Sequence, residues 1–453
     1  MAVRRLVREA NFLSLAGNLV ISFFGFAGFA LLARTFSPDE FGEWVLFIAG
    51  SALVDMFRFG IVNTAVVRFL SGAGQEERPR LIGSFILLVL IATAGIAVVM
   101  TGFLLLFPEA INSSGYGLFF TWYPLVSFIN IPMFTALVIL QADQRFDRIL
   151  WINGSYGAAF FAVILANYLF FEMTLTQVVW AQAAVYLLLS VVCVAFGWDG
   201  SRHLFKATAE SNRTIFHFGK YTTLTLIGTN LLRSADTLII SLSPMGTAAV
   251  ALYSIPMKIT ELQQIPLRSF AATAFPRMSK ASIQGNLTGF KDLFYTYSGA
   301  MTMLFAFMSL CIFLFADFLV LILGGAQYLG TDPSTGASTA LLVRIFALYG
   351  LLLPVERMTG IGLDSINLPK RNFLKVVIMV AANVIGDLVA VFVFGSLEAV
   401  AVASVIFTVA GIWIGYYFLD REIGLEYRQI FSSGIRFYRQ MLCHFRELAK
   451  QLI

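Results

Sequence analysis

The sequence predicts an all-α membrane protein with about twelve transmembrane helices, and three observations support this fold class. Only 13% of the 453 residues are charged, whereas about 25% are charged in a typical soluble protein. Hydrophobic residues make up 58% of the chain, and the mean hydropathy is +0.82. Apolar stretches of bilayer-spanning length recur from one end to the other. We therefore expect lipid to cover most of the exterior.

The predicted spans are the stretches that approach or exceed the ~20 mostly apolar residues a bilayer-crossing helix needs. They are 12–34, 41–70, 82–107, 116–141, 149–171, 177–197, 218–242, 248–275, 293–323, 339–365, 372–395 and 399–419. The first is too long for the apolar region of a signal peptide, so we expect it to be retained. Prolines inside spans, such as Pro124 and Pro132, predict kinks.

The distribution of basic residues predicts the orientation. The odd-numbered loops contain no Lys or Arg, whereas the even-numbered loops and both tails are basic. The even loops carry Arg78, Arg80, Arg145, Arg148, Arg202, Lys206, Arg213, Arg277, Lys280, Lys291, Lys370, Arg371 and Lys375. The positive-inside rule places these loops and both termini in the cytoplasm of a bacterial inner-membrane protein.

The C-terminal segment 425–453 has a different pattern. Apolar residues recur there at helical spacing, with Arg436, Arg439, Arg446 and Lys450 between them. This pattern predicts a basic amphipathic helix on the inner leaflet, where anionic lipids attract it. The alternative is a helix that docks on a cytoplasmic partner protein.

A weak internal repeat divides the chain into halves. A shift of 206 residues aligns the Ser-Pro pair at 37–38 with the pair at 243–244, and Asp55 with Glu261. Ser37 is suited to cap the helix that follows, with Pro38 in its first turn and Glu40 completing a capping box.

The even number of spans and the repeat predict two parallel six-helix bundles. Their predicted bounds are 1–200 and 213–420, followed by the tail 421–453. Transporters of this organisation commonly hold their substrate between the halves, near the middle of the membrane.

Two segments resemble a known family. Residues 31–44, Leu-Leu-Ala-Arg-Thr-Phe-Ser-Pro-Asp-Glu-Phe-Gly-Glu-Trp, are similar to the first-loop pattern of O-antigen type polysaccharide flippases. These flippases belong to the multidrug/oligosaccharidyl-lipid/polysaccharide (MOP) exporter superfamily. Residues 59–70, at the end of the second span, also resemble the family. The residues that match the family pattern in these two segments include Arg34, Pro38, Phe41, Gly42 and Arg68.

The resemblance implies a fold and a function. It implies a V-shaped pair of six-helix bundles that alternates between inward-open and outward-open states. It also implies that an oligosaccharide linked to undecaprenyl diphosphate is moved from the inner to the outer leaflet. Other polysaccharide assembly proteins are possible partners on this reading.

Ionisable residues inside the predicted spans are the candidate functional groups, because a charge there is costly without a cavity or a partner. Three pairs have i,i+3 spacing, which places both groups on one helix face. They are Asp55 with Arg58, Arg233 with Asp236, and Lys258 with Glu261. We expect them to line a central cavity; the alternative is that each pair neutralises itself and only orders its bundle.

Cationic groups suit an anionic substrate, since Arg binds phosphate oxygens bidentately and Lys acts as a point charge. The candidate substrate-binding residues are Arg58, Arg233, Lys258, Arg344 and Arg357. The candidate carboxylates for coupling to H+ or Na+ are Asp55, Asp236, Glu261 and Asp387, of which Asp387 stands alone in its span. Glu356 and Asp364 share a span with Arg344 and Arg357, so these four form either a charged path or structural pairs. Arg34 and Arg68 lie near span ends, where snorkelling is the default.

Other functions fit the sequence less well. A multidrug/cation antiporter of the same superfamily would have a cavity dominated by carboxylates, whereas basic and acidic groups are about equal here. Flippases for peptidoglycan precursors resemble fourteen-span chains. Major-facilitator transporters have a loop signature that residues 71–78 do not match.

A membrane polysaccharide polymerase or ligase is the alternative from a different class. Such an enzyme would need a large outer loop with catalytic residues. The longest outer loop, 324–338, contains Asp332 as its only charge. The three Cys and three His show no metal-binding spacing. The sequence therefore favours a transporter, with no cofactor beyond a coupling ion.

Overall fold

The computed structural model of the chain describes residues 20–217, 235–333 and 335–452, and in these ranges the architecture is all-helical. The helices are α1 Val20–Thr35, α2 Pro38–Gly72, α3 Glu77–Leu106, α4 Pro108–Ser113, α5 Gly117–Ile129, α6 Ile131–Ala142, α7 Phe146–Phe170, α8 Leu175–Ala195, α9 209–217, α10 235–241, α11 Gly246–Ile283, α12 Leu287–Leu314, α13 Ala316–Leu323, α14 Thr339–Ser365, α15 Pro369–Val389, α16 Leu397–Ile423 and α17 Tyr427–Leu452.

The predicted fold class is confirmed. Among the described residues, eight helices are long and apolar enough to cross a membrane, and α5 with α6 makes a ninth, bent crossing. The apolar α1 and the long α11 also fall where spans were predicted, and α13 completes the predicted span that begins in α12. The seventh predicted span, 218–242, lies mostly outside the described residues. The chain is thus a multi-pass membrane protein with about twelve spans.

The fourth span is bent where proline predicts a kink. The axes of α5 and α6 differ by 53°, and Pro132 occupies the first turn of α6. Proline has no N–H to continue the helical hydrogen bonds, so the chain turns at Asn130. At this break the Ser127 carbonyl and the Asn130 side chain accept hydrogen bonds from Arg58 on α2.

The start of α2 follows the predicted capping box. The Ser37 side chain accepts a hydrogen bond from the Glu40 amide, and the Glu40 carboxylate accepts one from the Ser37 amide. Gly42 packs closely on the start of α11, because a Cβ at Gly42 would lie 1.9 Å from the Thr247 carbonyl oxygen. The Asp39 carboxylate accepts a hydrogen bond from the Thr247 hydroxyl at 3.0 Å.

The second Ser-Pro pair does not repeat this geometry. The helix α11 begins at Gly246, and the Ser243 hydroxyl accepts a hydrogen bond from the Met245 amide at 3.2 Å. Ser243 therefore belongs to a turn that precedes the helix, because the backbone of residues 243–245 is not yet helical.

By its internal packing the chain divides into two compact units, Met1–Ala251 (unit 1) and Leu252–Ile453 (unit 2), and the boundary falls inside α11. The core of unit 1 lies among α2, α3, α5, α6 and α8. The core of unit 2 lies among α11, α12, α14 and α16.

The tail helix α17 packs against α12 of its own unit. Gly434 and Gly299 form a close backbone contact, since a Cβ on Gly434 would lie 2.5 Å from the Gly299 carbonyl oxygen. The Tyr438 hydroxyl donates to the Ala300 carbonyl at 3.1 Å. The sequence predicted that α17 lies on the inner leaflet or docks on a partner protein. The structure shows that part of its surface packs on α12. Contact of α17 with the inner leaflet stays a prediction.

One assignment from the sequence is wrong. Lys375 was counted among the basic residues of an inner loop, although it falls just inside the predicted span 372–395; α15 begins at Pro369, and Lys375 lies in its second turn with 1% of the residue exposed. Pro369 explains the early start, because its fixed φ suits the first turn of a helix.

Candidate functional site

Unit 1 contains an enclosed arginine with a complete set of partners. Arg58 lies on α2 with its side chain 0% exposed, and a guanidinium has five N–H donors. Its Nε donates to the Thr93 hydroxyl (3.0 Å), Nη1 to the Asp55 carboxylate and the Tyr123 hydroxyl (3.2 Å), and Nη2 to the Ser127 carbonyl and the Asn130 side-chain oxygen (3.3 Å). All five donors are thus used within unit 1.

Apart from Asp55 on α2 itself, the acceptors come from two sequence-distant places, α3 and the segment from α5 to Asn130. The Ser127 carbonyl lies in the last turn of α5, where carbonyls have no partner within the helix. Thr93 lies on α3 and donates its own proton to the Val89 carbonyl at 2.7 Å, so its oxygen is left to accept from Arg58. The Phe59 ring lies 4.8 Å from the guanidinium carbon and closes one side of the site.

Asp55 is the accessible end of this network. Its side chain is 25% exposed, and its Oδ1 accepts hydrogen bonds from both Arg58 and the Tyr123 hydroxyl. A carboxylate held on one oxygen and partly exposed is suited to bind a proton or a small cation. Arg58 would have to give up existing bonds before it could contact a phosphate, so its role as a substrate ligand stays a prediction.

Unit 2 carries two of its charged pairs in more exposed positions. The Lys258 ammonium lies 2.9 Å from the Glu261 carboxylate on α11, with side chains 26% and 58% exposed. Arg344 on α14 pairs with Asp317 on α13, with side chains 33% and 61% exposed. Exposed pairs of this kind contribute only ~0–1 kcal/mol to stability, so little stability is lost if the Arg344–Asp317 pair opens.

Arg357 differs from these cations. It lies within α14, is exposed, and makes no salt bridge to any residue that the structure describes. A cation in an apolar helix is costly unless it meets water, a headgroup or an anionic ligand.

The neighbouring carboxylate has a partner that sequence reasoning missed. The ammonium of Lys375 donates to the Glu356 carboxylate at 2.8 Å, to the Glu356 carbonyl at 3.2 Å and to the Thr359 hydroxyl at 3.4 Å. Gly360 and Gly415 leave room for it, because a Cβ at either position would lie 3.3 Å or less from Lys375 side-chain atoms. The unexplained Glu356 in the tenth span was the signal that could have identified this pair.

Two further coupling candidates are buried. Asp387 on α15 has 0% of its surface exposed, and it accepts a hydrogen bond from Asn383, one turn earlier, at 3.1 Å. The sequence reading had Asp387 alone in its span, whereas the structure gives it a neutral hydrogen-bond partner, Asn383, on the same helix. Asp236 is also buried, but its predicted partner Arg233 lies outside the described residues.

The remaining motif residues have structural surroundings. Phe41 is fully buried and packs edge-to-face on Phe29 with ring centroids 5.0 Å apart. Arg34 and Arg68 are exposed at helix ends. Among the described residues, no group of three or more His, Cys, Asp or Glu side chains is placed to hold a metal ion.

Comparisons with known proteins place these observations in context. A family model described as "Polysaccharide biosynthesis protein" matches residues 31–333. The chain is 22% identical over 419 residues to the probable low-salt glycan biosynthesis flippase Agl15 of Haloferax volcanii, covering 89% of this chain and 82% of that protein.

Solved structures share the fold at low sequence identity. The inward closed conformation of the lipid II flippase MurJ matches with a TM-score of 0.71 and 12% identity, covering 96% of this chain and 93% of the other. An inward-facing multidrug resistance MATE family transporter of the MOP superfamily matches with a TM-score of 0.68 and 14% identity, covering 90% and 98%. These likenesses concern the fold.

Proposed function

Because the chain belongs to the polysaccharide biosynthesis protein family, whose model matches residues 31–333, we propose that it is a transporter, a flippase for lipid-linked oligosaccharide. The substrate is an oligosaccharide repeat unit on undecaprenyl diphosphate, moved from the inner to the outer leaflet of the bacterial inner membrane. The similarity to a glycan biosynthesis flippase over 89% of the chain supports this class of substrate.

The observation that carries the proposal is Arg357, an exposed cation in an apolar helix that has no ion-pair partner among the described residues. Lys258 and Arg344 are also partly exposed on apolar helices of unit 2. A diphosphate brings negative charge and several acceptor oxygens, which offset the cost of such cations by charge-assisted hydrogen bonds. We assign head-group contact to these three residues.

Among the four candidate carboxylates Asp55, Asp236, Glu261 and Asp387, we assign coupling to H+ or Na+ to Asp55. Asp55 alone of these combines partial exposure with fixed contacts to Arg58 and Tyr123. Binding of a proton or cation at Asp55 would weaken its pairing with Arg58, and so would connect ion occupancy to the packing of α2, α3 and α5.

The test uses the purified protein in liposomes with a fluorescent short-chain polyprenyl-diphosphate oligosaccharide. Loss of inner-leaflet label reports flipping. We expect Lys258→Gln and Arg357→Gln to slow flipping by roughly tenfold each, the effect of losing a charge-assisted contact of ~1.4 kcal/mol. An imposed proton or sodium gradient should accelerate the parent and leave Asp55→Asn unresponsive.

The matched control is Arg421→Gln, since Arg421 is an exposed arginine of unit 2 whose described contacts are with the hydroxyl and the ring of Tyr417, with no salt bridge to a described residue. It should flip at the parental rate. Equal rates for the control and both cation variants would remove the assigned head-group contacts. No flipping of any lipid-linked glycan by the folded parent would overturn the proposed function.

One observation favours a second candidate, a multidrug/cation antiporter. In the pairs Lys258–Glu261 and Arg344–Asp317 of unit 2 the carboxylate is more exposed than its cation, with Glu261 at 58% and Asp317 at 61%. Organic cations would be attracted to such carboxylates. Gradient-driven uptake of an organic cation by the same liposomes, without glycan flipping, would favour this function.

A further inference from the structure

The strongest unassigned feature of the described residues is a cavity in unit 2 between α11, α12 and the tail helix α17. Its volume is about 210 Å³, below the roughly 300–1,000 Å³ of sites that hold drug-sized ligands. It therefore has room for a small polar group or a lipid head group, but not for an oligosaccharide. Phe270, Leu293, Ala300 and Phe437 supply its apolar lining.

The polar lining carries one charge of each sign. Arg277 from α11 and Asp292 from α12 both line the cavity, yet they do not form a salt bridge with each other or with another described residue. The Arg277 guanidinium donates one hydrogen bond, to the Tyr297 hydroxyl at 3.0 Å. Its remaining donors and the Asp292 carboxylate are free to bind a ligand.

Two opposite charges that share a cavity without pairing are complementary to a zwitterion. A phosphate would accept charge-assisted hydrogen bonds from Arg277, and an ammonium would donate them to Asp292. The apolar side chains suit the start of an acyl chain. The positive-inside pattern also predicts that this end of α11, with Lys280 and Lys291 nearby, lies at the inner leaflet.

We propose that this cavity is a binding site for a phospholipid with both a phosphate and a primary ammonium, that is, an ethanolamine head group. Because Phe437 belongs to α17, the bound lipid attaches the tail helix to α11 and α12, in addition to the Gly299–Gly434 contact. The site is separate from the candidate transport residues, and it goes beyond the proposed flipping activity.

The experiment measures lipids bound to the full-length protein. The protein is purified in detergent, exchanged into mixed micelles of phosphatidylethanolamine, phosphatidylcholine or phosphatidylglycerol, and examined by native mass spectrometry. We expect the ethanolamine lipid to bind at least tenfold more tightly than the other two. The choline group has no N–H to donate to Asp292, and phosphatidylglycerol has no cation at all.

The variants separate the two halves of the head group. Arg277→Gln should weaken phosphatidylethanolamine binding roughly tenfold, as expected for loss of a charge-assisted contact. Asp292→Asn should abolish the preference for ethanolamine over glycerol head groups. Arg436→Gln is the matched control, because Arg436 is an exposed arginine of α17 that does not line the cavity.

Three results would overturn the proposal. One is binding of all three lipids with equal affinity. Another is a preference for phosphatidylglycerol that Asp292→Asn leaves unchanged, since this would indicate a general attraction of the basic tail for anionic lipid. The third is a larger effect of Arg436→Gln than of Arg277→Gln. Because the readout is lipid binding, failure here leaves the flippase proposal intact.

Discussion

Replacing Arg58 with methionine tests how the enclosed network contributes to the protein. Methionine keeps an unbranched side chain but ends near the position of the arginine Nε, so the substitution removes the guanidinium with its charge and its five donors. The Asp55 carboxylate then loses its cation, and the Ser127 carbonyl and Asn130 side-chain oxygen each lose a described donor.

The expected cost follows from the geometry. Removing one partner of a buried ion pair costs about 3–5 kcal/mol, and Asp55 is 25% exposed, so the lower end applies. The four hydrogen bonds from Arg58 to acceptors outside α2, at about 0.6 kcal/mol each in a membrane protein, give about 2 kcal/mol, which is of the same order. We therefore expect Arg58→Met to destabilise the protein by about 3 kcal/mol.

The assay is unfolding of the purified protein in one detergent, with flipping measured on the same preparations. Asp55→Asn and the double variant complete a cycle, in which we expect a coupling of about 1–2 kcal/mol because the two residues are in direct contact. Arg421→Met is the control, since an exposed arginine should change stability by no more than about 0.5 kcal/mol.

One result would refute this reasoning. If Arg58→Met unfolded like Arg421→Met but lost flipping completely, the five hydrogen bonds would contribute little to folding. Arg58 would then act directly on the substrate, as the sequence reading proposed.

Three further substitutions test the packing around the candidate residues, each by unfolding in detergent. Gly42→Ala should destabilise by about 3 kcal/mol, because its Cβ would overlap the Thr247 carbonyl oxygen at 1.9 Å. Ser37→Ala should cost about 1 kcal/mol through loss of the helix cap. Lys375→Met should cost about 3 kcal/mol by leaving the Glu356 carboxylate, which is only 18% exposed, without its cation, and adding Glu356→Gln should recover part of that loss.

Matched controls accompany these changes. Gly25→Ala should be neutral, because nothing lies within 4 Å of a Cβ built there. Ser243→Ala should cost less than Ser37→Ala, since Ser243 precedes its helix in a turn. Equal losses at both glycines would contradict the close approach of α2 to Thr247, and a double variant no more stable than Lys375→Met would argue against the ion pair.

The sequence by itself determined the helices and their approximate bounds. Span prediction depends on local composition, because about 20 apolar residues in a row suit only a membrane helix. The capping box at Ser37 and Glu40 is equally local, and the structure has it as predicted. The family resemblance seen at 31–44 and 59–70 is confirmed, because the family model matches residues 31–333.

Only the tertiary structure decided which charged pairs are enclosed. Asp55–Arg58 and Lys258–Glu261 have the same spacing, yet the Arg58 side chain is 0% exposed and that of Lys258 is 26% exposed. The difference arises from acceptors on α3, α5 and the α5–α6 break, which are distant in sequence. Spacing along one helix carries no information about the helices that pack beside it.

The same reason explains Lys375 and the tail. Lys375 resembled a basic loop residue because its partner Glu356 is 19 residues away on another helix. The amphipathic pattern of α17 predicted a helix with one apolar face, but it left the covering surface open. In the structure α17 packs on α12 through the Gly299–Gly434 contact, because two glycines permit a backbone approach that side chains would prevent.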